Sequence, residues 1–263
     1  MEPVTESAAE PAFREITVGS GDEARQIAML ERAGTGRGIL FLGGYMSNMR
    51  GAKGDALDAY AAATGRPMTR FDYSGHGESG GRFEDGTISR WLEEASAVLD
   101  RAAGAPLILV GSSMGGWIAL LLALAERAAG GGRIAGLVLL APATGMTHSL
   151  MLPQMDAAAR AELEENGVVR RASAYSEQPY LITRALIEDG AHHLLADKPI
   201  AIGAPVHIIQ GVLDEDVPFD HALDLMSHLA EDDVVLTLIK DAGHRLSRPE
   251  DLAKILSAVE AMS

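Results

Sequence analysis

From Pro106 to Ala129 the chain reads PLILV, then GSSMG, then GWIALLLALAERAA, and few arrangements accommodate that succession. The first run is a short apolar block of the kind that forms a buried strand, and the last is an apolar helix. Only Gly111-Ser112-Ser113-Met114-Gly115 joins them, so strand must pass to helix through one sharp turn. This is the G-x-S-x-G nucleophile elbow in its expected strand–turn–helix context. A serine on such a turn is held in a strained backbone conformation, and the flanking glycines remove side chains that would collide. Its hydroxyl then stands at the carboxyl end of the sheet, at a helix N-terminus whose dipole favours developing negative charge. Ser113 centres the motif and is the candidate nucleophile; the neighbouring Ser112 does not. An ordinary Gly/Ser turn would share the composition but not the position between strand and helix.

The rest of the chain repeats the alternation. Arg14–Val18 and Ile27–Arg32 have no helix between them and predict an antiparallel lead-in. Gly38–Gly43 and Pro67–Tyr73 predict strands on either side of a helix at Asp55–Thr64. Thr87–Ala103 carries Trp91, Leu92, Ala95, Val98 and Leu99 on one helical stripe, and Ile134–Ala141 predicts another strand. The pattern is that of βαβ units on a mostly parallel, doubly wound sheet. It breaks from Thr144 to Gly203, where helical patterns run without a clear strand. Strands at Pro205–Gln210 and Val234–Lys240 and helices at His221–Ala230 and Glu250–Met262 then complete the chain. The expectation is a single α/β core, residues 1–143 and 204–263, with a helical lid, 144–203, inserted after the sixth or seventh strand. Long insertions at loops cost little closure entropy, and lids are a common use of them.

A nucleophilic serine needs a base and an orienting acid. Asp214 lies in the loop after PVHIIQ, in Gly211-Val-Leu-Asp214-Glu-Asp-Val217. Glu215 and Asp216 are close rivals that read as solvated loop charges, and Asp220 reads as a helix cap. His244 follows the strand VVLTLIK in Asp241-Ala-Gly-His244-Arg245 and precedes the last helix. His148, His192, His193, His207, His221 and His228 fall inside helices, a strand or the insertion, where an imidazole is normally a surface or core residue. The order Ser113, Asp214, His244 is the one this architecture requires.

Acyl transfer also needs two backbone N–H groups aimed at the carbonyl oxygen as it turns negative. Met114, next to the nucleophile, supplies one, and Tyr45 in the loop Gly43-Gly44-Tyr45-Met46 supplies the other. The glycines permit close backbone approach, and Gly44 is placed beside the substrate. A further loop, Asp72-Tyr73-Ser74-Gly75-His76-Gly77-Glu78-Ser79, reads as a tight structural turn in which Asp72 bonds backbone amides. His76 in that loop is within range of the active-site mouth.

Composition removes other classes. There is no cysteine, which excludes thiol nucleophiles, disulfide frameworks and Cys-based metal sites. Lys plus Arg is 22 against 37 for Asp plus Glu, a net charge of −15 that disfavours nucleic acid and anionic membrane surfaces. The longest apolar run, Trp117–Ala125, is far too short for a membrane span. No metal or organic cofactor is implied. The acidic N-terminus MEPVTESAAEP lacks the features of a secretory or mitochondrial leader, so a cytoplasmic bacterial enzyme is expected.

With elbow, acid and base in this order, the chain resembles the α/β-hydrolase superfamily over nearly its whole length. Four segments, 41–53, 71–81, 108–117 and 175–195, resemble a branch of mitochondrial α/β-hydrolase-domain enzymes described as palmitoyl-protein thioesterases and acyl-glucuronide esterases, with bacterial relatives. Gly43-Gly44-Tyr45 stands where that branch has Pro-Gly-Tyr. The resemblance implies a serine hydrolase with Ser113, Asp214 and His244 as its triad, acting on a small-molecule ester or thioester or on an acylated protein. Met146 and Met151, with Leu150, Leu152 and Met155, offer a flexible apolar surface to an acyl chain, or pack the lid on the core. Arg170, Arg171 and Arg184 are candidate partners for an anionic substrate, or pair with carboxylates of the lid. Two other readings stay open: a ligand-binding protein on the same scaffold, and a carbon–carbon bond hydrolase or perhydrolase using the same triad. A dehalogenase or epoxide hydrolase of this fold would carry Asp where Ser113 stands.

Overall fold

The computed structural model describes residues 10–102, 106–171, 179–195, 199–230 and 233–262. Its centre is an eight-stranded sheet. In chain order the strands are β1 (Ala12–Val18), β2 (Arg25–Arg32), β3 (Gly38–Leu42), β4 (Met68–Phe71), β5 (Leu107–Ser112) and β6 (Ile134–Leu140), followed after an insertion by β9 (Val206–Gly211) and β10 (Val234–Ile239). They lie in the order β1-β2-β4-β3-β5-β6-β9-β10. β1 pairs antiparallel with β2, as the missing helix predicts, and β2 also pairs antiparallel with β4. From β4 to β10 every pairing is parallel.

The inner strands alternate between two buried faces rather than between core and solvent. Leu40, Leu42, Leu107 and Leu109 face α2 (Ile88–Arg101) and α3 (Met114–Ala128). Ile39, Phe41, Ile108 and Val110 face α1 (Ala52–Thr64) and α7 (Pro249–Ala261). Burial on both faces is why these strands are written as continuous apolar runs. The reactive ends of β3, β5, β9 and β10 thus emerge at one rim.

Between β6 and β9 the chain forms a π-helical turn (Thr147–Met151), α4 (Ala157–Asn166), β7 (Val168–Arg171), β8 (Tyr180–Thr183) and α5 (Arg184–Gly190). The insertion therefore follows the sixth strand, and it is not all helical as expected. β7 and β8 form an antiparallel pair with Val169 opposite Ile182. Four-residue strands are too short to show a period, and part of the connection, residues 172–178, lies outside the described residues. A small apolar cluster of Met155, Leu163, Val169, Ile182 and Ile187 holds the segment together. Trp117 Nε1 donates to His193 O (3.1 Å), and Ser89 donates to Asp189 through both N–H and hydroxyl.

α6 (Phe219–His228) begins two residues before the expected position, with Pro218 at its cap. Asp220 is therefore a first-turn residue interacting with the helix dipole, not the cap.

Candidate active site

The elbow is strained as its sequence requires. Ser113 has φ 55° and ψ −118°, a region that costs an L-residue energy and survives only when its surroundings enforce it. Its N–H donates to Leu140 O (2.8 Å), and its carbonyl accepts from Gly116 N (2.9 Å) and Ala143 N (3.1 Å). Gly111 is obligatory because a Cβ there would lie 2.4 Å from Gly115 O. At Gly115 a Cβ would lie 2.2 Å from Leu42 O, since the end of β3 runs directly against the start of α3. That approach lays the loop after β3 over the elbow, with the Cβ position of Gly44 3.4 Å from Ser113 Cβ.

His244 and Asp214 arrive from neighbouring loops. Leu213 N donates to Ala242 O (2.9 Å), and Gly211 leaves room for the same strand-end. His244 Nε2 lies 3.1 Å from Ser113 Oγ, and Nδ1 lies 2.9 Å from Asp214 Oδ2. Asp214 is buried, and its Oδ1 accepts from Asp216 N (3.0 Å) and Val217 N (2.8 Å). Its Oδ2 accepts a further bond from Gln210 Nε2 (3.0 Å). A carboxylate on Nδ1 places that nitrogen's proton toward Asp214 and leaves the Nε2 lone pair toward the serine hydroxyl. Asp214, Asp216 and His244 have ligand-type atoms within 4.8 Å of one another, but this hydrogen-bond array already uses both Asp214 oxygens and the His244 ring.

The amides of Tyr45 and Met114 have no acceptor among the described residues, whereas Met46 N donates to His76 Nε2 (3.1 Å). The Tyr45 ring stacks on Tyr180 (6.0 Å between centroids, 8° between planes), and its hydroxyl donates to Leu181 O. Burial pushes the Tyr45 phenol well above the ordinary tyrosine range, so it stays a neutral donor.

Residues 51–185, just over half the chain, match the family described as serine aminopeptidase, S33. The palmitoyl-protein thioesterase ABHD10 of Rattus norvegicus is 32% identical over 243 residues, covering 90% of this chain and 79% of that protein. The chain belongs to the α/β-hydrolase family of serine hydrolases. A solved structure of a putative hydrolase from Agrobacterium vitis superposes with a TM-score of 0.93 at 50% identity, covering 97% of this chain and 99% of that one. Mouse α/β-hydrolase domain-containing protein 10 superposes with a TM-score of 0.84 at 29% identity, covering 95% and 98%.

In this α/β-hydrolase Ser113 and His244 open into a cavity of about 620 Å³, within the usual range for small-molecule sites. Gly44, Tyr45, Met146 and Met151 line it, as the sequence suggests. Met114 is buried behind it. Ser112 belongs to β5 and its carbonyl backs Gly44, while Glu215 is exposed. Five of the other histidines have local partners: His207 meets Thr237, His221 meets Thr144, His193 meets Ser89, His148 meets Thr147 and His228 meets Asp224 O. Of the three arginines considered for an anionic substrate, Arg171 lines the cavity and donates to the Gln154 side-chain carbonyl. Arg184 instead donates to the Glu164 carbonyl.

Sequence reasoning missed Lys53 and Arg245, which also line the cavity, and Gln210, which anchors the acid. Lys53 Nζ donates to Arg245 O (2.6 Å); burial, with nearby Arg245, lowers its pKa to about 8. A lysine on a helix and a glutamine at a strand end carry no signal of their own until the loops are brought together. Asp72 performs the expected structural role, accepting from Met49 N (2.6 Å) and Glu78 N (2.8 Å).

Proposed function

We propose that the protein hydrolyses carboxylic esters or thioesters through an acyl-enzyme on Ser113. The observation that carries this reading is the continuous line Ser113 Oγ, His244 Nε2 (3.1 Å) and His244 Nδ1, Asp214 Oδ2 (2.9 Å). His244 Nε2 takes that proton as Oγ attacks the acyl carbon, and Asp214 steadies the imidazolium. The amides of Tyr45 and Met114 receive the oxyanion. His244 then returns the proton to the departing alcohol or thiol, and water repeats the sequence on the ester of Ser113.

The insertion between β6 and β9 serves as the lid, and Met146 and Met151 face the acyl group across the cavity. A thioester is favoured by the ABHD10 relatives, which are named palmitoyl-protein thioesterases, and the apolar side chains lining the cavity suit an acyl chain. Its polar lining carries Lys53, Arg171 and Arg245 against the carboxylate of Asp216, an inversion of charge in a chain of net −15. That balance suits a leaving group bearing an anion, such as a glucuronate. A panel of acyl thioesters of graded length, acyl glucuronides and neutral aryl esters tests the reading. Turnover of esters or thioesters, abolished in Ser113→Ala, is expected; a folded protein that binds but turns over none would establish the ligand-binding alternative.

A further inference from the structure

His76 belongs to no part of that mechanism, yet both of its ring nitrogens are committed. Nε2 faces the Met46 N–H at 3.1 Å, and Nδ1 faces Ser74 O at 3.1 Å. An amide only donates and a carbonyl only accepts, so the ring is neutral with its proton on Nδ1. The residue is 4% exposed and packed among Tyr73, Phe83 and Trp91. Its support is fixed in turn. Ser74 O also accepts from Trp91 Nε1 (3.3 Å), and Ser74 N donates to Glu94 Oε2 (2.8 Å), whose other oxygen pairs with Arg25. A buried ion pair therefore holds Ser74, Ser74 holds His76, and His76 holds the amide next to Tyr45.

Met46 needs that hold. Its φ is 56°, a left-handed conformation that a side chain with a Cβ adopts only under constraint. Releasing the Met46 amide lets the peptide between Tyr45 and Met46 rotate, and the Tyr45 amide turns with the loop. We infer that His76 is a positioning residue for the oxyanion hole, acting as a neutral hydrogen-bond acceptor that fixes the Met46 amide and thereby aims the Tyr45 N–H at the reacting carbonyl oxygen. This rests on the acyl-enzyme reading above and adds the residue that prepares its second donor.

The test compares His76→Phe, which keeps an aromatic ring and loses the acceptor, with His76→Gln, whose carbonyl can accept again. Hydrolysis of p-nitrophenyl butyrate, inhibition by a trifluoromethyl ketone and fluorophosphonate labelling are measured beside Ser113→Ala. His76→Phe is expected to lower kcat by about ten- to a hundredfold, short of the ~10²–10³ lost with an oxyanion donor itself. KM changes little, ketone affinity falls in parallel with kcat, and His76→Gln recovers part of both, since only transition-state binding is affected. Unchanged kcat and ketone affinity in a folded His76→Phe, with Ser113→Ala inactive, overturns the positioning role and leaves the acyl-enzyme standing. An active Ser113→Ala overturns both. Should His76→Phe fail to fold, ¹H–¹⁵N spectra of the native protein's histidine rings decide. A proton on Nδ1 with Nε2 bare, and Nε2 shifting when the ketone adduct forms, supports the role; a proton on Nε2 overturns it.

Discussion

Gln210 Nε2 lies 3.0 Å from Asp214 Oδ2, and the same amide group donates to Val217 O at 2.9 Å. Gln210 is fully buried at the end of β9, so it pins the acid loop at both ends of its turn. Gln210→Leu keeps the volume and removes these bonds together with a third, to Gly211 O (3.2 Å). The expected result is a kcat between about ten- and a hundredfold lower, the scale of a small misplacement of catalytic groups, with KM nearly unchanged. Steady-state kinetics on a simple aryl ester check it.

Gly115→Ala is expected to be disproportionately harmful. The new methyl would fall 2.2 Å from Leu42 O and 2.4 Å from Gly43 O, both backbone atoms at the root of the loop after β3. Overpacking of this kind costs about 1–3 kcal/mol, and the displaced loop takes the Tyr45 amide with it. Thermal unfolding and kcat should fall together, whereas Gly130→Ala, which meets no atom within 4 Å, should lose stability through its positive φ alone and keep its activity.

Glu94 is fully buried, accepts from Ser74 N and pairs with Arg25, whose side chain is 4% exposed. Glu94→Ala leaves Arg25 in an ion pair with the more exposed Glu93 only, and leaves Ser74 N without its acceptor. It should cost about 1–3 kcal/mol of stability, the scale of a buried group left unsatisfied, measured by urea unfolding at neutral pH.

His76 makes stability depend on pH with a definite sign. Burial lowers its pKa from 6.5 to about 4, so the unfolded chain binds a proton that the folded protein refuses. The resulting stability is complete above pH 6.5 and is lost as pH falls toward 4, on the order of 3 kcal/mol in all. His76→Gln should therefore flatten the acid limb of Tm between those limits relative to the parent protein. Parallel curves for the two would contradict this assignment.

Much of the candidate site's geometry was legible because the residues that set it are written locally. Ser113 sits in a turn whose neighbours are forced by strain, and Asp214 and His244 each follow an apolar strand whose direction is fixed by the parallel sheet. The antiparallel β1–β2 lead-in followed from the absence of a helix between two strands. β7 and β8 were not legible, because four residues carry no period and their pairing is with each other rather than with the main sheet. Lys53 and Gln210, and the partner of His76, were hidden for a different reason. Their partners, Arg245, Val217 and Met46, are joined by folding, across as many as 192 residues, and no spacing in the chain records that.

Intact-mass spectrometry after rapid mixing with a p-nitrophenyl ester shows most directly whether Ser113 becomes covalently acylated. A transient mass increase of one acyl group on Ser113, lost with turnover, is expected. Ser113→Ala should show no such adduct, with kcat/KM lower by about 10⁴-fold or more. An adduct on another residue, or undiminished turnover in Ser113→Ala, would contradict it.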